Sequence, residues 1–223
     1  MLLVMNMLKR DANKLKVKQK LMDAAEELFS QYGFEAVSVR EITQRAESRL
    51  ADINDHFGGK AELFKEVLAR RADILSTDYE HKLLALSRNG SLSDQVNALI
   101  AAFTTPLLNR SKEDGAWLNY LRLLSRNNSL TSRFSAFSEY FHPITDRFTQ
   151  ELSRLFPASP ERKVNSAYQL MSTCTMMQFA EELPADSPSS SDKYTELEHK
   201  LNEMLEFVKG GILELLEEKP ETA

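Results

Sequence analysis

Apolar residues recur at helical spacing along almost the whole chain. Leu21, Ala24, Ala25, Leu28 and Phe29 fall at i, i+3, i+4, i+7 and i+8, the stripe of an amphipathic helix. That stripe stops at Tyr32-Gly33, where Gly33 reads as a C-terminal cap. Ser38-Val39-Arg40-Glu41 has the capping-box pattern, in which a Ser hydroxyl and a Glu three residues later satisfy the orphan amides of a helix start. A second helix of about two turns follows, with Val39, Ile42 and Ala46 inward, and ends at Glu47-Ser48. A third has Leu50, Ile53 and Phe57 at i, i+3 and i+7, buried, and stops at Gly58-Gly59. Three short helices in this order predict a helix-turn-helix, whose last helix lies in the major groove.

Beyond Lys60 the pattern is that of longer helices. One runs from Lys60 through Leu63, Phe64, Val67, Leu68, Ile74 and Leu75 toward Leu86 and Asn89-Gly90, and others cover Leu92–Leu108, Ala116–Asn127, Leu130–Phe156 and Glu161–Leu183. Pro184 to Asp192, dominated by Pro, Ser and Asp, predicts a loop. The last helix carries Leu197, Leu201, Met204, Leu205, Val208, Ile212 and Leu215, a stripe wide enough for more than one partner. Gly210-Gly211 inside it costs roughly 1 kcal/mol per Gly against Ala, and so marks either a close helix approach or the helix end.

Composition narrows this to an all-α chain. Of 223 residues 42% are hydrophobic and 27% charged, with seven glycines and seven prolines, and strand-like alternation is scarce. A lone Cys174 makes no internal disulfide, and no Cys or His spacing suggests a metal. No cofactor is therefore expected. The apolar start, Met1 to Leu8, precedes Lys9 and Arg10 and so has a signal peptide's order reversed, which leaves Met5 or Met7 as alternative starts. No apolar run approaches the roughly 18 to 20 residues of a membrane span, and the expected setting is the cytoplasm. Catalysis finds no support: there is no Gly-x-Ser-x-Gly, Gly-rich phosphate loop, His-Glu-x-x-His or Cys-x-x-Cys.

The net charge of −5 argues against a nucleic-acid partner, but its distribution reverses the point. Lys9, Arg10, Lys14, Lys16, Lys18 and Lys20 make a basic stretch interrupted only by Asp11, whereas Glu196 to Glu221 is acidic.

Ala24-Ala25-x-x-Leu28-Phe29-x-x-x-Gly33, Ser38-Val39-Arg40-Glu41-Ile42, Ala46 and His56-Phe57-Gly58-x-Lys60-x-x-Leu63 together resemble the TetR family of repressors over roughly residues 17 to 65. Departures stand at Glu47-Ser48-Arg49, where the family usually has Gly-Val-Ser, and at Ala51 and Asn54, where it has Gly and Tyr. Leu50 to Gly58 is more similar to a subgroup that includes fatty-acid-responsive regulators.

The resemblance implies a DNA-binding set of Ser38, Arg40, Arg49, Asp52, Asn54, Asp55, His56 and Lys60. Arg40 would reach a base or phosphate and Lys60 a phosphate at the start of the fourth helix. Asn54 is suited to adenine and Asp52 to cytosine, while Asp52 and Asp55 also read as charges balancing a helix dipole. It implies a homodimer on a palindromic operator, bundled through Glu161–Leu183 and Tyr194–Leu216, with Leu197, Leu201, Met204, Leu205, Val208 and Ile212 at the interface. The fourth helix would be the lever between ligand and reading heads.

A candidate pocket combines Trp117, Tyr120, Leu121, Phe141, Phe148 and Met171 with the polar Arg122, Thr145, Cys174 and Gln178. Singly, each apolar member also reads as ordinary core. The expected ligand is a small hydrophobic or acyl compound, Arg122 meeting an acidic head group. The domains expected are a disordered or basic tail (1–14), a helix-turn-helix domain (15–60), a helical regulatory and dimerisation domain (61–218) and a tail (219–223). The function expected is a repressor released from its operator by the ligand; the alternative is a ligand-independent DNA-bound interaction or architectural protein of the same fold.

Overall fold

The computed structural model describes residues 2–128, 135–180 and 190–217, which hold nine α-helices and no strand. The all-α expectation is met. The chain divides into two compact units, 1–71 and 72–223, with the division inside one helix.

In the first unit, α1 (Leu2–Tyr32), α2 (Val39–Arg45), α3 (Leu50–Phe57) and the start of α4 (Lys60–Leu84) surround one small core. The expected tail at 2–14 is helical and continues α1, because Leu2 to Tyr32 contains neither Gly nor Pro to interrupt it. Leu21, Ala25, Phe29, Ile42, Ile53, Leu63 and Phe64 are sealed from solvent. Phe64 meets Phe29 edge-on at 5.3 Å and Phe34 at 4.9 Å, a packing worth about 0.5–1.5 kcal/mol per pair beyond burial. Leu50, expected in this core, is 60% exposed. It is the first residue of α3, a turn before the helix meets the core at Ile53.

The α2–α3 turn is tight. Ser48 donates its amide to the Thr43 carbonyl at 2.9 Å, and Glu47 takes φ +51°, the left-handed conformation that costs an L-residue roughly 1–2 kcal/mol. This is one of the positions where the sequence departs from the usual glycine.

The second unit holds the end of α4, then α5 (Leu92–Ser111), α6 (Gly115–Asn128), α7 (Ser135–Leu155), α8 (Glu161–Met177) and α9 (Ser190–Leu216). α5 opens with a second capping box, Ser91 with Asp94. Arg110 on α5 clamps Asp78 of α4 at 2.7 and 3.0 Å and lies over the Trp117 ring. α8 is shorter than predicted: Gln178 caps it, the chain turns at 178–180, and 181–183 lie outside the described residues. So do 130–134 of the predicted Leu130–Phe156 helix, 184–189 of the predicted loop and the 219–223 tail, whereas residues 190–192 of that loop are helical.

α9 packs along α8 and α5 of its own chain. Leu197, Leu201, Met204, Val208 and Ile212 are each at most 8% exposed within the single chain, and Leu205 is half-buried. The stripe predicted to meet a second subunit is an intrachain seam instead. Its width arises because α9 covers two helices, a demand that produces the same sequence pattern as a subunit interface.

Candidate functional site

Two sites emerge, one in each unit. In the first, the capping box predicted at Ser38 forms: its amide donates to Glu41 Oε2 at 2.7 Å, and its hydroxyl oxygen accepts from the Glu41 amide at 3.2 Å. These bonds hold the Glu41 carboxyl below the usual carboxylate range, with the nearby Lys60 ammonium adding a smaller push. Ser38 thereby fixes the start of α2, and Arg40, the second residue of the helix, is exposed. Arg40 forms no ion pair with any described residue. Nor does Lys60, whose Nζ sits 4.3 Å from the centre of the Phe34 ring. A ring face does not compete with an anion for the ammonium group, so Lys60, like Arg40, is open to a phosphate.

Most neighbouring cations are already engaged. Arg45 grips Glu27 at 3.0 and 2.8 Å, Lys18 meets Glu66 at 2.6 Å, and Lys20 meets Glu47 at 3.5 Å. Arg49 occupies the N-cap position of α3, where a hydroxyl or carboxylate would normally accept an amide. Asp52 replaces that function from one turn on. Its Oδ2 accepts from the Arg49 amide at 2.9 Å, and its Oδ1 accepts from Arg49 Nε and Nη2 at 3.2 and 2.7 Å.

Asp52 is therefore buried, and the Arg49 guanidinium followed by the Arg49 amide holds its carboxyl below the ordinary value. A carboxylate so occupied is not directed at a cytosine amine, and the structure corrects that expectation. The outward surface of α3 consists of Arg49, Leu50, Ala51, Asn54 and Asp55, with His56 half-buried. Leu50 and Ala51 are the positions missed from sequence, because the apolar period assigned Leu50 to the core.

In the second unit a cavity of about 530 Å³ opens among α4, α5, α6, α7 and α8. Four rings build one side. Tyr79 stacks on Phe103 at 5.4 Å, and Phe148 meets Tyr79 and Phe103 edge-on at 5.7 and 5.2 Å, supporting them from behind. Tyr168 meets Phe103 edge-on at 6.0 Å, and its hydroxyl bonds Thr145 Oγ1 at 3.1 Å. Leu75, Leu124, Phe141, Ile144 and Met176 complete the apolar lining, and Thr149, Asn165, Gln169 and Ser172 line the polar side. Asp146, Glu161 and His142 are the ionisable lining groups besides the tyrosines.

Of the ten residues proposed from sequence, this cavity contains Phe141 and Thr145. Trp117, Tyr120, Leu121, Phe148 and Met171 are buried core, while Cys174 accepts through its carbonyl from the Gln178 side chain at 3.2 Å. Arg122 is not among the lining residues. Period alone places a residue on an inward face but not beside a void. Tyr79 and Phe103 were findable only as aromatic residues on the inward faces of α4 and α5.

Among the described residues no three His, Cys, Asp or Glu side chains cluster as metal ligands, and no helix is long and apolar enough to cross a membrane.

Comparison with known proteins matches residues 21–67 to the family model described as bacterial regulatory proteins, tetR family. Residues 101–211 match the tetracyclin repressor-like C-terminal domain. Similar solved structures include a bacterial regulatory protein in the tetR family from Rhodococcus RHA1, 14% identical with TM-score 0.58, covering 86% of this chain and 96% of that one. The ketosteroid transcriptional regulator KstR2 of Mycobacterium tuberculosis is 16% identical with TM-score 0.57, covering 85% and 93%. GusR of Salmonella enterica is 14% identical with TM-score 0.52, covering 90% and 95%. At these identities the likeness is one of fold. No curated protein sequence matches the chain.

Proposed function

The chain belongs to the TetR family of bacterial transcriptional regulators, and from that premise we propose that it is a homodimeric repressor whose hold on a palindromic operator is released by a small molecule. The observation that carries the DNA half is the pair Arg40 and Lys60: two cations that form no ion pair with a described residue, on the helices that flank α3 in sequence. Neutralising phosphates is what such charges do, and it supplies most of the affinity for DNA. Leu50, Ala51 and Asn54 offer the outward face of α3 to base edges, the first two suited to a thymine methyl and Asn54 to adenine. Asp55 on the same face disfavours phosphate, and this supports a strict operator requirement over general DNA affinity.

A two-fold operator needs two linked reading heads about one DNA turn apart. On the described parts of α8 and α9, the large apolar groups left exposed for a second copy are Leu170 and Met177, 59% and 64% exposed, and Phe207, 76% exposed. Leu170 and Met177 are two turns apart on one face. Gly210 and Gly211 lie within α9, so they do not end it, and a Cβ at either would meet nothing within 4 Å. Nothing among the described residues requires glycine there, whereas close approach of a partner's helices would.

The cavity favours ligand release over the ligand-independent alternative, because a partly open cleft of this size, walled by aromatic rings with a few polar side chains, has the form of a small-molecule site. A reporter fused to the DNA upstream of the coding sequence tests the direction of control. Wild-type protein should silence it and an Arg40→Ala/Lys60→Ala variant should not; output that rises with the protein would make it an activator.

A further inference from the structure

The charge of the cavity indicates what enters it, an inference that rests on the ligand-release reading. Tyr79 lines the cavity, is 2% exposed, and its hydroxyl has no hydrogen-bond partner among the described residues. Burial pushes this phenol well above its ordinary value, so it remains a protonated donor. That donor stays available to a guest that carries an acceptor in its body. The cavity is therefore a built site whose polar fittings are incomplete.

Its ionisable lining is mainly acidic. Asp146 and Glu161 are both exposed, and no Lys or Arg is among the lining residues. The single basic group there, His142, already faces Asp146 with Nδ1 3.2 Å from Oδ1. Arg122, expected to receive an acidic head group, does not line the cavity. An acyl anion would set its carboxylate beside two others, with His142, already paired with Asp146, as the one basic lining group. A cation would gain two attractions and keep its apolar body against Tyr79, Phe103 and Tyr168, whose ring faces themselves attract positive charge.

We propose that the cavity binds an amphiphilic organic cation, its apolar body against the aromatic wall and its ammonium group toward Asp146 and Glu161. This reverses the acidic-headed ligand that sequence similarity to fatty-acid-responsive regulators implies.

Three probes with one chain and different heads decide it: decyltrimethylammonium, decanol and decanoate, each titrated calorimetrically into the full-length protein below its micelle concentration. The order expected is cation, alcohol, anion, with about tenfold between the first and last, given two partly screened carboxylates. In an Asp146→Asn/Glu161→Gln variant the order should collapse while decanol affinity is unchanged, which also reports an intact cavity. Equal affinities in wild type, an anion-first order, or a preference that survives the double substitution overturns the cation and leaves ligand release standing. Failure of all three to bind removes the cavity as a ligand site and ligand release with it.

Discussion

Asp52 folds back onto Arg49, one carboxylate oxygen on the backbone amide at 2.9 Å and the other on the guanidinium at 2.7 and 3.2 Å. The same carboxylate thus caps α3 and restrains the cation at the helix's leading edge. Asp52→Ala separates these roles. Loss of the cap should lower unfolding stability by about 1 kcal/mol in a denaturant titration. Release of Arg49 should raise affinity for random DNA in the same variant. Unchanged stability, or weaker binding to random DNA, would contradict this assignment.

Glu26 is 3% exposed, beside Arg71 at 3.4 Å, and its Oε2 accepts no hydrogen bond. Burial is the largest influence on it and raises its carboxyl above the ordinary value, against the opposing pull of Arg71 and Arg70. A carboxyl raised on folding binds its proton more tightly in the folded state, so its burdened charged form weakens the fold above the folded value and relaxes as pH falls through it. Asp52, lowered on folding, acts oppositely: it stabilises above its unfolded value, and that contribution is lost as pH falls through its folded one. Glu26→Gln should therefore flatten the rise in stability on mild acidification and leave the loss at lower pH. Thermal unfolding measured across acidic pH checks it, and a rise that persists in the variant would refute it.

Phe207→Glu and Leu201→Ala should fail differently, although both alter α9. Phe207 is 76% exposed, so its substitution should leave the fold intact, yield monomers in sedimentation velocity and weaken operator binding. Leu201 is 3% exposed in the intrachain seam, and its truncation should cost about 2–5 kcal/mol of stability. A Phe207→Glu protein that remains dimeric would move the interface elsewhere.

The helix-turn-helix was legible because its signals are local: a capping box at Ser38, a glycine stop at Gly58 and a three-to-four apolar period over a few turns. Asp52 was misread because its partner depends on what replaced the N-cap hydroxyl. With Arg at position 49, the acid one turn on is the remaining acceptor for an orphan amide. The α9 stripe was read on the correct face but against the wrong neighbour, since burial by α5 and α8 and burial by a second chain select the same residues. The cavity was legible least of all. Phe148 and Phe103 are equally apolar on their helices, and only the packing of several helices decides that one lines a void and the other supports it.

Affinity for the upstream operator as a function of salt, read by fluorescence anisotropy of labelled DNA, tests the central claim most directly. The account predicts specific binding by two chains, with a slope of log affinity against log salt that falls by about 0.9 for each phosphate contact removed per head in Arg40→Ala and Lys60→Ala. Random DNA should bind far more weakly at every salt concentration. Equal binding of operator and random DNA, or a slope unchanged by removing both cations, would contradict it.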